Sequence, residues 1–322
     1  MKINKKNILY LLLGALVLLS IISMFLGPVF ISPEYLLKSE ILWQIRIPRI
    51  ILSAMVGIML GISGVILQGI LRNPLADPYI LGVSAGAGVG AAVAMGAGLN
   101  FVIFGMSAVP VLAFVFAVVS VLIVYKLAQV KGQTSTETLI LAGVAVSAFS
   151  AAVLALIIIV TGELQSIYFW LLGSFSMASY GDIITLTPYL LAGFIFAFFY
   201  SKELNALILG EEMAFTLGVD VEKIRLIMII MASLMTAAAV SVSGLIGFVG
   251  LIIPHFVRLF LGPNHKTLVP VSALGGAILM MGADTIGRTV FSPIEIPIGV
   301  VMALIGSPFF LYILRRRYRV KR

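Results

Sequence analysis

Cysteine is absent from this chain of 322 residues, and histidine occurs only twice. Without cysteine there can be no disulfide, no thiolate metal site and no cysteine nucleophile. The two histidines, His255 and His265, are too isolated from other ligand-type residues to predict a metal site or a proton relay. These absences exclude the commoner kinds of metalloprotein and of cysteine-dependent enzyme.

Charge is also scarce, since 11% of the residues are charged and 61% are hydrophobic. A helix needs about 20 apolar residues to cross a bilayer, and runs of this length recur along the whole chain. The formal net charge of +8 does not indicate nucleic acid, because the basic residues lie between and after apolar runs, as membrane topology requires. We therefore predict a membrane protein that crosses the bilayer several times.

The predicted fold is all-α, with a single transmembrane domain over residues 1–322 and about ten transmembrane helices. The first run is interpreted as a retained helix and not a signal peptide, because no small-residue cleavage site precedes Pro28. Residues 164–181 are predicted to form a partly inserted interfacial helix, and the glycine-interrupted run 226–260 is divided into two spans. The predicted spans are 8–26, 50–71, 79–97, 109–128, 139–160, 183–201, 226–244, 245–260, 269–287 and 297–314.

The distribution of basic residues predicts that both termini are cytoplasmic, as is the loop 202–225. With ten spans, only four of the 21 Lys and Arg residues fall on the outer side, in agreement with the positive-inside tendency. They are Lys38, Arg46, Arg49 and Arg288. Changing one ambiguous segment would put the basic tail "RRRYRVKR" outside, whereas changing both would move the loop 202–225 outside.

Two stretches 180 residues apart suggest an internal repeat. "SGVILQGILRNP" (63–74) and "SGLIGFVGLIIP" (243–254) both begin with Ser-Gly and end with proline at the same distance. In the ten-span topology they run in opposite directions, and inverted repeats are typical of transporters. Chance is the alternative, because these residue types are common in the chain.

The glycine-rich segment "LGVSAGAGVGAAVAMGAG" (81–98) lies within a predicted span, with no strand before it and no acidic residue after it. It is therefore not a dinucleotide fingerprint. Gly82, Gly86 and Gly90, spaced by four, predict a smooth helix face for close packing. No Walker A motif occurs in the chain, so any ATP must bind to another protein.

Arginines are concentrated at one predicted mouth. Arg46 and Arg49 in "RIPR" and Arg288 in "ADTIGR" are expected at a similar depth. Three guanidinium groups there could bind carboxylates of a docking protein, or could anchor the helices at the lipid interface. Asp284, an acidic residue within a span, is expected to pair with Arg288 four positions later.

"GEEMAFTLGV" (210–219) is unusual because it predicts a short amphipathic helix in a cytoplasmic loop. Glu211 and Glu212 open it, Gly218 ends it, and the spacing is expected to place Met213, Ala214 and Leu217 on one face.

Taken with the motifs above, the chain resembles the permease subunit of ATP-driven importers for iron-siderophore, haem and cobalamin, the type II importers. The resemblance covers nearly the whole chain. It rests on "RIPRI" (46–50), "SGVILQGILRNPLADPYILGVSAGAG" (63–88), "GEEMAFTLGV" (210–219), "GLIGFVGLIIPHFVRLFLGPNHKTLVP" (244–270), "ADTIGR" (283–288) and "EIPIGVVMALIGSPFFLYIL" (295–314).

The resemblance implies a homodimer in a bacterial or archaeal cytoplasmic membrane, with two ATPase subunits that carry ATP and Mg and an extracytoplasmic substrate-binding protein. This chain itself would hold no cofactor or metal and would not be an enzyme. Arg46, Arg49 and Arg288 would dock the binding protein. The residues implied to couple transport to the ATPase are Gly210, Glu211, Glu212, Met213, Ala214, Leu217 and Gly218.

An ion-coupled secondary transporter is the main alternative, since it also has many spans and inverted repeats. It would normally show several acidic residues at the membrane midplane and would not need a docking helix. An intramembrane enzyme is less compatible with the sequence, which lacks a nucleophile with a base, or a metal cluster, within the spans.

Overall fold

The computed structural model of the chain describes residues 5–28, 38–103, 105–130 and 133–319. Nearly all of this part is helical, and the two β-hairpins, β1–β2 (Val102–Ile103 and Met106–Ser107) and β3–β4 (Gln129–Val130 and Gln133–Thr134), are very short. The helices are α1 (Lys5–Phe25), α2 (Ile47–Ile70), α3 (Val83–Gly96), α4 (Ala108–Ala128), α5 (Thr136–Thr161), α6 (Leu164–Leu171), α7 (Tyr180–Phe199), α8 (Ser201–Ile208), α9 (Glu211–Thr216), α10 (Val221–Ser243), α11 (Val249–Leu261), α12 (His265–Thr289) and α13 (Ile298–Arg319).

The ends of several helices follow from local sequence. Ser135 and Ser179 cap α5 and α7 through reciprocal bonds with the residues three positions later, a capping box in each case. Gly162 ends α5 in the left-handed conformation that glycine adopts easily. Gly244 ends α10, and α11 begins only at Val249. The apolar run 226–260 is therefore two helices.

Seven helical stretches are long and apolar enough to cross a membrane by length and composition: Asn7–Phe25, Ile41–Ile70, Ala108–Ala128, Thr136–Thr161, Tyr180–Phe199, Val221–Ser243 and His265–Thr289. Val83–Gly96, Val249–Leu261 and Ile298–Tyr312 are shorter apolar helices. The chain is thus helical with many apolar candidate spans. The number ten and the side of each terminus stay predictions, and Lys2, Lys131 and residues 320–322 lie outside the described residues.

Helix α2 is the centre of the molecule. It packs against α12, α10, α11 and α7. Within an apolar stretch of 18 residues in its span, 78% of the residues are buried, compared with 6% for α1 and 11% for α5. Gly57 faces the backbone of Gly276 in α12, and Gly64 faces that of Gly250 in α11. In a membrane such small residues let helices approach closely, so α2 is held by backbone-to-backbone contact on two sides.

The glycines of α3 have two different environments. Gly86 and Gly90 lie against Phe116 and Leu112 of α4, where a Cβ atom would meet backbone oxygen. Gly82 is in the left-handed region, with φ of 76°, and its carbonyl accepts a hydrogen bond of 2.9 Å from Ser120 Oγ. The first two glycines therefore serve helix contact, whereas Gly82 supplies a turn before α3.

The two stretches of the suggested repeat differ in local structure. Residues 63–70 continue α2 without interruption, whereas residues 244–248 form an irregular break between α10 and α11. The two stretches also touch each other, because Gln68 Nε2 donates to the Gly250 carbonyl at 3.1 Å. The inverted repeat therefore gains no support from local structure and stays a prediction.

Candidate functional site

Helix α9 stands between two glycines with positive φ, Gly210 at 118° and Gly218 at 81°. Both angles lie where residues with a side chain are strained, so these positions favour glycine. The chain can therefore turn sharply before and after α9, and the helix lies as a separate short unit between α8 and α10.

Four large apolar side chains of this loop, three between the two glycines and one just before them, are exposed. Leu209, Met213, Phe215 and Leu217, which we call the α9 surface, are 67%, 52%, 77% and 60% exposed, whereas Ala214 is fully buried. The sequence prediction of one face made of Met213, Ala214 and Leu217 is thus wrong for Ala214, which turns to the protein interior. Phe215 was missed, although an aromatic residue in a polar loop was a usable signal.

Glu211 is the acidic residue that fixes α9 to the rest of the protein. Its Oε1 accepts hydrogen bonds from Arg72 Nη2 at 2.8 Å and from Arg225 Nη2 at 2.7 Å. Arg225 Nη1 also donates to Glu222 Oε1 at 2.5 Å and to the Thr134 carbonyl at 2.6 Å. We call these five residues the Glu211 cluster.

Glu212 behaves differently from its neighbour. It is exposed, and within the described part of the chain its carboxylate makes no hydrogen bond or ion pair. The pair of glutamates that the sequence treats alike is therefore divided, with Glu211 directed to the protein and Glu212 directed to solvent.

A second ion cluster lies at the start of α2. Arg49 Nε donates to both oxygens of Asp284, at 2.9 and 3.1 Å, and its Nη1 donates to both oxygens of Glu295 at 3.0 Å. The Asp284 side chain is buried, while that of Glu295 is 34% exposed. Asp284 is the only fully buried acidic residue in the described part of the chain.

Two more arginines complete this group. Arg288 Nη2 donates to the Ser23 carbonyl at 2.8 Å, and its Nε lies 3.7 Å from Asp284 Oδ2. Arg46 Nη1 donates to the carbonyls of Met24 and Phe25, at 2.5 and 3.1 Å. We call Arg46, Arg49, Asp284, Arg288 and Glu295 the Arg49 cluster.

The Arg49 cluster extends one expectation and corrects another. Asp284 does pair with Arg288, at 3.7 Å, but Arg49, which is 235 positions away, binds it more closely, at 2.9 Å. The three arginines are also buried, with 6% or less of each exposed, and bind groups of this chain. Three guanidinium groups open at a mouth are therefore not what this conformation presents.

A cavity of about 570 Å³ lies beside the break between α10 and α11. Its walls include Leu172, Leu245 and Phe248 and the first turns of α13. Phe248 has φ of 70°, unusual for a residue with a side chain, and the break is held by the Tyr79 hydroxyl, which donates to the Ile246 carbonyl and accepts from its N–H, both at 2.9 Å. Among the described residues, no cluster of His, Asp and Glu could hold a metal ion.

Comparisons with known proteins agree with this architecture. Residues 15–316 match the model of the FecCD transport family. The chain is 45% identical to the cobalamin import system permease protein of Halobacterium salinarum over 86% of this chain and 74% of that protein. It is 34% identical to the hemin transport system permease protein of Yersinia pestis over 98% and 97% of the two chains.

A solved structure of an inward-facing transporter, described as an ABC transporter of the metal-chelate type, superposes with a TM-score of 0.86 at 34% identity, over 97% of this chain and 99% of the other. The match of sequence and of fold extends over nearly the whole chain. The chain therefore belongs to the FecCD transport family and is a permease of the ABC-transporter kind.

Proposed function

We propose that this chain is the translocation subunit of an ATP-driven importer of metal chelates, and that the α9 surface binds a separate ATPase subunit. The observation that carries the proposal is the α9 surface itself. Four apolar side chains are exposed in a segment that is too short to cross a membrane and is flanked by charged residues.

Large exposed apolar side chains concentrated in one short segment mark a binding surface for a protein or a membrane. Exposed charged residues precede and follow this segment in the chain, Lys202 and Asp220, which favours a protein partner with polar groups around an apolar cleft. Large apolar side chains that enter such a cleft supply most of the binding energy of an interface. Phe215, the most exposed of the four, is the expected anchor.

The transport cycle that we propose needs two copies of the chain and two ATPase subunits. ATP and Mg bind to the ATPase, its closure moves α9, and the helix bundles rock to open one end of the path or the other. Helix α5 is apolar, yet only 11% of the residues in an 18-residue stretch of it are buried within one chain, which supports a second copy packed nearby. The complex would lie in the cytoplasmic membrane with α9 inside the cell.

The proposed cargo is a metal chelate such as ferric siderophore, haem or cobalamin. Two relatives are named for hemin and cobalamin transport, and the matching solved structure is described as metal-chelate type. The cavity beside Phe248 is lined mainly by apolar groups, which would hold a chelate weakly and let it pass. Selection of the cargo would then belong to an external binding protein.

Docking of that binding protein at Arg46, Arg49 and Arg288 stays a prediction. A docking carboxylate would have to replace Asp284 or Glu295 as a partner of Arg49. Glu295 is the easier of the two to replace, because about a third of its side chain is exposed while Asp284 is buried.

Ion-coupled transport is the competing function. It needs a carboxylate that can bind and release an ion during the cycle. Asp284 is the buried carboxylate of the described part of the chain, and both of its oxygens accept hydrogen bonds from Arg49. It is therefore poorly suited to bind and release an ion.

The test is co-purification with the candidate ATPase subunit, followed by ATPase assays in proteoliposomes. A Phe215→Asp variant and a Met213→Asp, Leu217→Asp double variant are compared with wild type and with Lys126→Gln, an exposed residue at the end of α4, as the control. We expect the α9 variants to insert normally but to lose the ATPase and its stimulation by the binding protein. The proposal would be overturned if the wild type did not co-purify with the ATPase subunit and took up cargo on an ion gradient alone.

A further inference from the structure

We propose that Glu211 is the latch that transmits the movement of α9 to the membrane helices, rather than a contact for the ATPase. This inference rests on the proposed function and assigns a positioning role to one residue of the loop. It begins from the direction of the Glu211 carboxylate, which faces Arg72 and Arg225 of the same chain.

The single oxygen Oε1 of Glu211 joins three segments of the chain. Arg72 follows the end of α2, and Arg225 lies in the second turn of α10. Their guanidinium nitrogens are 2.8 and 2.7 Å from that oxygen. Ionic hydrogen bonds of this length are stronger and more directional than neutral ones. A displacement of α9 would therefore pull on the end of α2 and on α10 at the same time.

Arg225 extends the connection to a fourth segment. Its guanidinium is almost fully buried and donates to the carbonyl of Thr134 in strand β4, which directly precedes α5. Glu222 balances part of its charge and also accepts a bond from the Thr134 hydroxyl, at 3.2 Å. The route from α9 thus reaches the start of α5, the weakly buried helix that we expect to face the second copy.

The backbone on both sides of α9 makes such a latch necessary. Gly210 and Gly218 have positive φ, and a Cβ atom at either position would meet nothing within 4 Å, so the chain there is not confined by packing. Ala214 is the buried side chain of α9, and its methyl group provides only a small packing contact. Without the Glu211 bonds, α9 could rotate about both glycines without moving the membrane helices.

Glu212 is the matched control, because it is adjacent, of the same type and directed to solvent. Glu211→Gln and Glu212→Gln each remove one charge and keep the shape of the side chain. The permease is reconstituted with its candidate ATPase and binding protein. Uptake of haemin, ferric citrate or cobalamin is then measured per ATP hydrolysed. We expect Glu211→Gln to keep the ATPase but to lose about fivefold or more in uptake per ATP, the lower end of typical coupling between sites.

A distance measurement provides a readout that does not depend on the cargo. Because the chain has no cysteine, nitroxide labels can be placed at Thr216→Cys in α9 and Glu137→Cys at the start of α5, both exposed in the structure. In a complex of two copies the labels report distances within and between the copies, and we expect the same set of narrow distances in the wild type and in Glu212→Gln, with and without ATP. In Glu211→Gln the distribution should broaden when ATP is bound.

An unchanged distance distribution in Glu211→Gln, or uptake per ATP equal to that of Glu212→Gln, would overturn the latch. If Glu211→Gln does not insert into the membrane, Arg72→Gln is used instead, because it removes the more exposed of the two arginine partners. An unchanged distance distribution in Arg72→Gln would also overturn the proposed role of Glu211. Loss of the ATPase from the wild type would instead contradict the proposed function. The two failures are therefore distinguishable.

Discussion

The two ion clusters stand at opposite ends of the same helix and use the same chemistry in opposite ways. Arg49 lies in the first turn of α2 and Arg72 lies two residues beyond its end, roughly 35 Å apart at 1.5 Å per residue. In the Arg49 cluster one buried arginine holds two carboxylates, whereas in the Glu211 cluster one half-exposed carboxylate holds two arginines.

The difference in burial decides what each cluster can do. Separating Arg49 from Asp284 would leave charges in an apolar interior, which is very costly. Glu211 and Arg72 can separate into water at little cost, because both side chains are more than 40% exposed. The Arg49 cluster is thus a fixed clamp of α2 on α12, whereas the Glu211 cluster is a connection whose Arg72 bond costs little to break.

The largest expected effect on stability comes from replacing, one at a time, the arginine at each end of α2. Arg49→Met should lower the free energy of unfolding by about 3–5 kcal/mol, because it leaves Asp284 buried without its partner. Arg72→Met, the matched control at the other end of α2, should cost less than about 1 kcal/mol. Unfolding of the purified proteins in detergent, by heat or denaturant, measures both. Equal losses would contradict the distinction between clamp and movable connection.

The second prediction concerns the rigidity of α2 between the clusters. Gly57→Ala would place a methyl group against the backbone of Gly276, and such overpacking should cost about 1–3 kcal/mol. Gly14→Ala in α1 is the control, since nothing lies within 4 Å of a Cβ atom there. That change should leave the unfolding temperature unchanged or slightly higher. A destabilised control would show that glycine substitution alone, and not close packing, is responsible.

Salt should affect the two clusters unequally. At about 1 M salt the screening length is near 3 Å, so the exposed pair of Glu211 and Arg72 should weaken while the buried pair of Arg49 and Asp284 persists. We expect the distance distribution between labels at residues 137 and 216 to broaden moderately as salt increases. Labels at Leu26→Cys and Ile294→Cys, beside the Arg49 cluster, should report no change. Broadening for both pairs of labels would contradict the view that only the Glu211 cluster is exposed enough to be weakened by salt.

The smallest effect is expected at Glu295. Its side chain is partly exposed, so Glu295→Gln should change the free energy of unfolding by less than about 1 kcal/mol. The substitution leaves one side of Arg49 without an anionic partner. If carboxylates of a binding protein dock at this arginine, their affinity for the permease should rise, as surface plasmon resonance in nanodiscs would show. Weaker binding would indicate that Glu295 itself contacts the partner.

Much of the helical architecture could be predicted because it depends on neighbouring residues. The apolar runs define helices, Gly244 and Gly247 divide the run 226–260, and positive φ at Gly210 and Gly218 agrees with a short separate helix between them. The close approach of Gly86 and Gly90 to α4 also follows from their spacing of four. In each case the physical cause lies within a few residues of the feature.

The side-chain assignments were less predictable because they depend on residues far apart in the chain. Spacing alone paired Asp284 with Arg288, but the position of α2 against α12 brings Arg49 to Asp284 with better geometry. Spacing also put Ala214 on the open face, although its small size lets α9 lie closely on the protein and leaves Phe215 exposed. Neither outcome can be read from a helical wheel.

Sequence was sufficient to establish a helical membrane protein, its family resemblance and the place of the loop helix, because hydrophobicity and turn residues act locally. Tertiary structure decided which charges meet. An ion pair forms where the packing of helices brings two groups within about 3 Å, and a change of one helical turn in that packing would choose other partners. For this reason Glu211 and Glu212, adjacent and identical in type, have different roles that only the fold distinguishes.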